Sequence, residues 1–400
     1  MPTYEAPGIY VEDVPGGARP IQAIGMSTPA FLGLVPRGDA RVGEAVAITN
    51  WTQFVREYVP EHGIVTSTPL ARAVRGFIEN GGGRCYVVNL GAGGELEGDA
   101  RRRTGLAALD DKDDVRLVAA PGFTEPGHWD ALLAHAERHQ DRFSILDPPL
   151  EVDAVERLTK VQGTDVTEKG GLGPRRSPKG FGAVYFPWLK VRDPFTGEVV
   201  AQAPSGHVMG IYGRSDAQRG VHKAPANEIV RGALGLTYPL TRDEVALLNP
   251  SGVNCIRFFS DSGTKVWGAR TLADAASEYR YVNVRRIMIQ IMESIRRGTS
   301  WIVFEPNAPE LWKSIVRDIS GFLYLLWRDG ALLGTRPEQA YFVRCDSETN
   351  SRESIDAGQV VTVIGVAPVK PAEFVIFRVS QWAGGGVTDE VGGAASQGGS

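Results

Sequence analysis

The chain has 400 residues, 42% apolar and 22% charged, with a formal net charge of −4. That length predicts two or three domains. The slightly acidic balance argues against a nucleic-acid binder, which would be clearly basic. No run of about 18 apolar residues implies a membrane helix, and the opening MPTYEAPGIYVEDVPGG lacks the basic-then-apolar pattern of a secretory signal.

From residue 1 to about 23, Pro2, Pro7, Pro15 and Pro20 forbid a long helix and predict an extended arm. Within it Ile9, Tyr10, Val11 and Val14 can form one short strand. A lone terminal strand leaves its backbone groups unpaired, so it must join a sheet, either in its own chain or in a neighbour. Residues 26–35 predict a strand. Thr49 or Asn50 can cap a short helix through Trp51, Phe54, Val55 and Tyr58. Thr68 and Pro69 open a second helix with Leu70, Val74, Phe77 and Ile78 on one face; the glycines after Asn80 end it, and residues 85–90 follow as a strand. Residues 116–120, 128–138 and 143–146 predict strand, helix and strand, of lengths that suit a parallel crossover. Residues 163–180, charged and Gly-rich, predict a mobile surface loop. Strands are expected at 183–190 and 197–201.

Residues 208–227, VMGIYGRSDAQRGVHKAPAN, read as a tight polar loop with its own hydrogen bonds. Ile256, Phe258 and Phe259 predict a buried strand. Val282, Ile287, Met288, Ile291, Met292 and Ile295 then recur at helical spacing, with Arg285, Arg286, Arg296 and Arg297 mostly off that stripe and Gly298 ending the helix through a positive φ. The run from Trp301 to Phe304 predicts another buried strand. Pro309 opens a long helix carrying Leu311, Trp312, Ile315, Ile319, Phe322, Leu323 and Leu326, which stops at Gly330. Residues 340–346, 360–366 and 372–382 are rich in β-branched and aromatic residues and predict three strands. Pro368 and Pro371 let the last one, with Phe374, Val375, Ile376, Phe377 and Val379, leave the domain; the Gly-rich residues 383–400 are expected to be weakly ordered.

Signs of chemistry are sparse. The chain contains no Gly-Lys pair, which excludes a P-loop. Gly91 and Gly93 follow a strand as in a dinucleotide site, but Leu96 stands where the third glycine belongs. His135 and His139 lie one helical turn apart and could share a metal; without further ligand motifs they read as solvent-facing, and no metal or cofactor is expected. Cys85, Cys255 and Cys345 sit among apolar residues and read as buried, inert thiols of a chain made in a reducing cytoplasm. Asp110, Asp111, Asp113 and Asp114 read as a solvated charge run, and Trp312, Trp327 and Phe322 as core.

Several phrases in order carry a resemblance. LNPSGVN (248–254), VWGARTL (266–272), YVNVRR (281–286), FEPN (304–307) and the apolar run ending at Gly334 resemble the successive signatures of contractile tail sheath proteins, closest to sheaths of phage-tail-like extracellular contractile injection systems. RGFIENGGGRCYVVNL, the 208–227 segment (Asp216, Arg219, Gly220, Pro225, Asn227) and the opening APGIYVEDV are similar to further family motifs.

The resemblance implies a structural subunit, not an enzyme. Its fold would be α/β (α+β mixed): an arm (1–23), an α/β domain (24–249), a C-terminal α+β assembly domain (250–371) and a strand arm with tail (372–400). Its partners would be further copies in six-fold rings, an inner tube, and baseplate and terminator or cap proteins, with no nucleic acid and no membrane insertion. Assembly would occur in the bacterial cytoplasm, in a particle that can be released. Ile9, Tyr10, Val11 and Val14, and Phe374, Val375, Ile376, Phe377 and Val379, would be strands exchanged with neighbours. Lys313, Arg317 and Arg328 would form a basic edge facing an acidic inner tube, against the plainer reading of a solvated helix edge. Two alternatives stay open: an α/β enzyme or small-molecule binder using the 216–227 loop, and the sheath of a phage proper.

Overall fold

The computed structural model describes residues 20–162 and 170–376. The expected arm strand Ile9–Val14, Phe377 and Val379 therefore lie outside the described residues. Strands β1 (Pro29–Gly33) and β2 (Ala45–Ile48) precede helices α1 (Trp51–Tyr58) and α2 (Pro69–Glu79). Asn50 caps α1 by accepting from the Gln53 amide at 2.9 Å, and Thr68 caps α2 by accepting from the Ala71 amide at 3.2 Å. Then come β3 (Cys85–Asn89), β4 (Leu117–Ala119), α3 (Pro126–His139), β5 (Phe143–Leu146), β6 (Gly182–Phe186), β7 (Leu189–Arg192) and β8 (Val199–Gln202). The chain continues through α4 (Ser205–Arg219), β9 (Glu228–Ile229), β10 (Ala233–Leu236), α5 (Arg242–Leu248), β11 (Val253–Phe259) and β12 (Gly263–Val266). It ends in α6 (Val282–Gly298), α7 (Pro309–Arg328), α8 (Pro337–Ala340), β13 (Tyr341–Arg344), α9 (Arg352–Asp356) and β14 (Val363–Val366).

Among the described residues the largest sheet has nine strands in the order β2-β3-β1-β4-β5-β6-β11-β12-β9. The run from β3 to β11 is parallel, and antiparallel strands close both ends. Because β11 and β12 belong to this sheet, a division of the chain at residue 249 would cut through it. Alternate residues along each strand feed opposite faces. Phe31, Val87, Leu117 and Ile145 enter one core with α2, α4, α6 and α7; Leu32, Val88, Val118 and Leu146 enter the other with Trp129 and Leu132 of α3. Both faces are covered, which is why the parallel strands read as unbroken apolar runs.

Four expectations fail here for identifiable reasons. Residues 208–227 are mostly not a loop: α4 spans Ser205–Arg219 and is buried along Ser205–Ser215. Gly206 and Gly210 let α4 lie against α2; a Cβ on Gly210 would come within 2.4 Å of the Phe77 carbonyl oxygen. The run after Trp301 is no buried strand either. Ser300–Ile302 form a 3-10 turn and Val303 and Phe304 face solvent. Arg285 and Arg286 leave the apolar stripe of α6 but not the interior, being 2% and 0% exposed. Residues 372–376 form no strand and expose Phe374, Val375 and Ile376; no strand among the described residues pairs with them.

Two smaller differences follow from packing. Gly298 is needed for close approach: a Cβ there would meet the Ile21 side chain at 2.7 Å. Part of the expected 163–180 loop is tied down, with Arg175 bridging Glu137 at 2.9 Å and the Ser177 hydroxyl donating to Glu137 at 2.7 Å.

Candidate assembly interface

The C-terminal elements build a surface unlike the closed core. β13 and β14 form an antiparallel hairpin that no third strand joins among the described residues. Tyr341, Val343 and Ile364 pack inward toward α7, while Phe342 and Val363 are exposed on the other face. Phe342 lies across Gly365, where a Cβ would meet its ring at 2.1 Å. A two-stranded ribbon is marginal in water and its edges are ready templates for another strand. Between β13 and α7 runs a groove of about 420 Å³ lined by Lys313, Val316, Arg317, Val343 and Cys345.

Past β14 the chain is pinned before it becomes exposed. The Glu373 carboxylate accepts from Arg270 Nε at 2.8 Å and Nη2 at 2.7 Å, from Asn249 Nδ2 at 2.6 Å and from the Tyr281 hydroxyl at 3.2 Å. Burial pushes this carboxyl up, but the Arg270 and Asn249 hydrogen bonds and the Arg270 charge outweigh it and hold it below the usual carboxylate range. Phe374, Val375 and Ile376 follow at once, so the clasp fixes where the exposed segment leaves the body. Sequence reasoning missed Glu373; Pro368 and Pro371 marked the exit, but nothing in the sequence names Arg270 as its partner.

Lys313, Arg317 and Arg328 lie on one stripe of α7 by helical periodicity. All three are exposed; Arg317 pairs with Asp318 at 3.0 Å and Arg328 with Asp329 at 3.1 Å.

The segment named as a possible ligand loop is framework. Arg286 of α6 forks onto Asp216 of α4, with Nη1 2.9 Å from Oδ1, donates through Nη2 to the Met26 carbonyl at 3.0 Å, and lies 4.6 Å from the Tyr212 ring centre. Burial opposes the guanidinium charge, yet Asp216 beside it raises its pKa. Asp147, at the β5 end, accepts from the Ser205 amide at 2.9 Å and hydroxyl at 2.7 Å, so a carboxylate caps α4 from another element. Asn227 holds a φ of 60°, and its side chain accepts from Lys265 Nζ at 3.3 Å.

The other chemical candidates resolve similarly. His135 is buried, not solvent-facing as expected, and burial with the Arg142 charge pushes its pKa down to about 2. Asp110, His135 and His139 bring donor atoms within 4.8 Å of one another. Arg142 Nη1, 3.1 Å from His135 Nε2, and Arg138 Nη2, 3.1 Å from Asp110, put two positive charges on those same donors and oppose a cation. Cys85, Cys255 and Cys345 are buried free thiols, and burial pushes Cys85 and Cys255 up to about 12. Gly91 and Gly93 lead into turns, not a helix N-terminus. No helix among the described residues is long and apolar enough to cross a membrane.

A parallel sheet covered on both faces, with an open hairpin and a pinned exposed exit segment, defines a protein built for assembly. The family model described as the phage tail sheath protein central domain matches residues 106–272, and that of the phage tail sheath C-terminal domain matches 274–381. The chain belongs to the phage tail sheath family, and is a subunit of a contractile sheath. It is similar to a putative prophage major tail sheath protein of Pseudomonas aeruginosa, 26% identical, with 71% of each chain covered. It also resembles the sheath of the PVC extracellular contractile injection system in the contracted state, at 30% identity, TM-score 0.76, covering 96% of this chain and 99% of that one. The anti-feeding prophage helical sheath, also contracted, matches at 31% identity, TM-score 0.74, over 95% of this chain and 100% of that one.

Proposed function

We propose that the chain polymerises as six-fold rings around an inner tube, within a phage-tail-like particle assembled in the bacterial cytoplasm and bounded by baseplate and cap proteins. It does no enzymatic work there. The observation that supports this reading most is the β13–β14 hairpin, paired on neither outer edge among the described residues and flanked by the α7 groove. Residues 9–14 of one neighbour and 374–379 of another add to it as strands, so main-chain hydrogen bonds link copies while side chains set the register. Subunits joined this way can rotate during contraction without separating. A difference of about 5 kcal/mol per subunit between two sheath states makes the transition effectively one-way.

Lys313, Arg317 and Arg328 face the inner tube through screened, reversible contacts. The α7 groove favours a second role for two of them, because Lys313 and Arg317 also line the space beside β13. Charge reversal of Lys313 and Arg317 together tests both. Loss of tube attachment with intact sheath polymers supports the tube role, and loss of sheath polymers supports the groove role. Deleting residues 1–15 tests the exchange itself: full-length chains form long hollow cylinders in negative-stain electron microscopy and truncated chains do not. Cylinders from both would overturn it.

A further inference from the structure

Two features at opposite ends of α7 remain unused by this reading. At its start, Phe304 is 102% exposed and held at a φ of 71°, a conformation bulky residues rarely adopt. Its platform is firm. The Glu305 amide donates to the Ile302 carbonyl at 3.0 Å, Asn307 donates to the Gln359 carbonyl at 2.9 Å, and Asn307 accepts from Trp312 Nε1 at 2.8 Å. Next in the chain, the Glu305 carboxylate is exposed and has no hydrogen-bonding or ionic partner among the described residues.

At the far end, about 30 Å along a helix of this length, lies a cleft of about 490 Å³. Met26, Ile287, Leu326 and Ala331 give it an apolar floor. Arg219 stands on its rim, exposed and likewise without an ionic partner among the described residues.

We propose that Phe304 of one subunit seats in this cleft of a second copy of the chain, with Glu305 pairing to Arg219. Aromatic knob meets apolar hole, and a free carboxylate meets a free guanidinium. Knob and hole are two different patches of one chain, so the contact made head-to-tail leaves a free knob and a free hole at either end and repeats along a polymer. A knob preset by its turn loses little freedom on docking. The inference rests on the chain forming a homopolymer but not on strand exchange.

The test places a photo-crosslinking phenylalanine analogue at Phe304 in sheaths assembled from mixed light and heavy-isotope copies, before and after contraction. Light-to-heavy cross-links from residue 304 to peptides holding residues 23–27, 217–222 or 326–331 support the contact. Cross-links only to the inner tube, to other sheath regions or within one chain overturn it. In parallel, E305R and R219E each lower the yield of pelletable sheath about tenfold, and the E305R/R219E pair restores it. Monomer melting stays unchanged in all three, since both positions are exposed. Wild-type yields from both single variants, or no recovery in the pair, would also overturn it.

Discussion

Asp216→Asn leaves Arg286 as an unpaired charge in the interior. The Arg286 side chain is 0% exposed and that of Asp216 is 9% exposed, so water cannot take over. Breaking a buried pair from one side costs about 3–5 kcal/mol. Arg286 keeps the Met26 carbonyl and the face of Tyr212, which places the expected loss near the lower bound, at about 3 kcal/mol. Removing both charges with similar volume, as Asp216→Leu with Arg286→Met, should cost much less than the two single changes together. The coupling read from that double-mutant cycle should be about 2 kcal/mol or more. Urea denaturation of the purified monomer, followed by circular dichroism, measures the four species of the cycle and Asp216→Asn. Strictly additive losses, or a loss under about 1 kcal/mol for Asp216→Asn, would refute the reading of 205–227 as a packed strut joining α4 to α6, and would free Asp216 for other chemistry.

Acid should destabilise the monomer from near pH 6.5 downward. Burial holds His207 neutral with a pKa near 4 and, with Arg142, His135 near 2, both below the ordinary 6.5. The unfolded chain binds those protons first, so stability is full above 6.5 and falls as pH drops, with about 3 kcal/mol lost to His207 by pH 4. Asp147 runs the other way, its carboxyl raised by burial to about 6. Asp147→Asn should therefore steepen the acid loss between about 4 and 6 in thermal melts, because in the wild type the Asp147 carboxyl offsets part of the histidine loss there. Glu373→Ala should cost about 1–3 kcal/mol by leaving Arg270 underpaired, and should raise protease cleavage within residues 371–376. Gly298→Val should lower the melting temperature, since Ile21 leaves no room for a side chain, and Gly298→Ala should do so less.

The parallel sheet was legible because its strands are short apolar runs punctuated by glycine and proline, and α1, α2, α6 and α7 because their caps and stripes are local signals. Phe304 was misplaced because an apolar residue and a buried one look alike until a turn points the ring outward. α4 was hidden for the opposite reason: its glycines, which usually break helices, serve here to bring α2 within contact. Glu373–Arg270 and Asp216–Arg286 join residues 103 and 70 positions apart, a pairing that no periodicity records. Phe374, Val375 and Ile376 stand out in the sequence as an apolar run, and among the described residues no strand pairs with them.

The most direct test of the account is a cryo-electron microscopy reconstruction of the assembled sheath, read at the β13–β14 hairpin. The account predicts a four-stranded sheet there, with residues 9–14 and 374–379 contributed by two neighbouring copies. A hairpin that stays two-stranded in the polymer, with both segments folded back on their own chain, would contradict it.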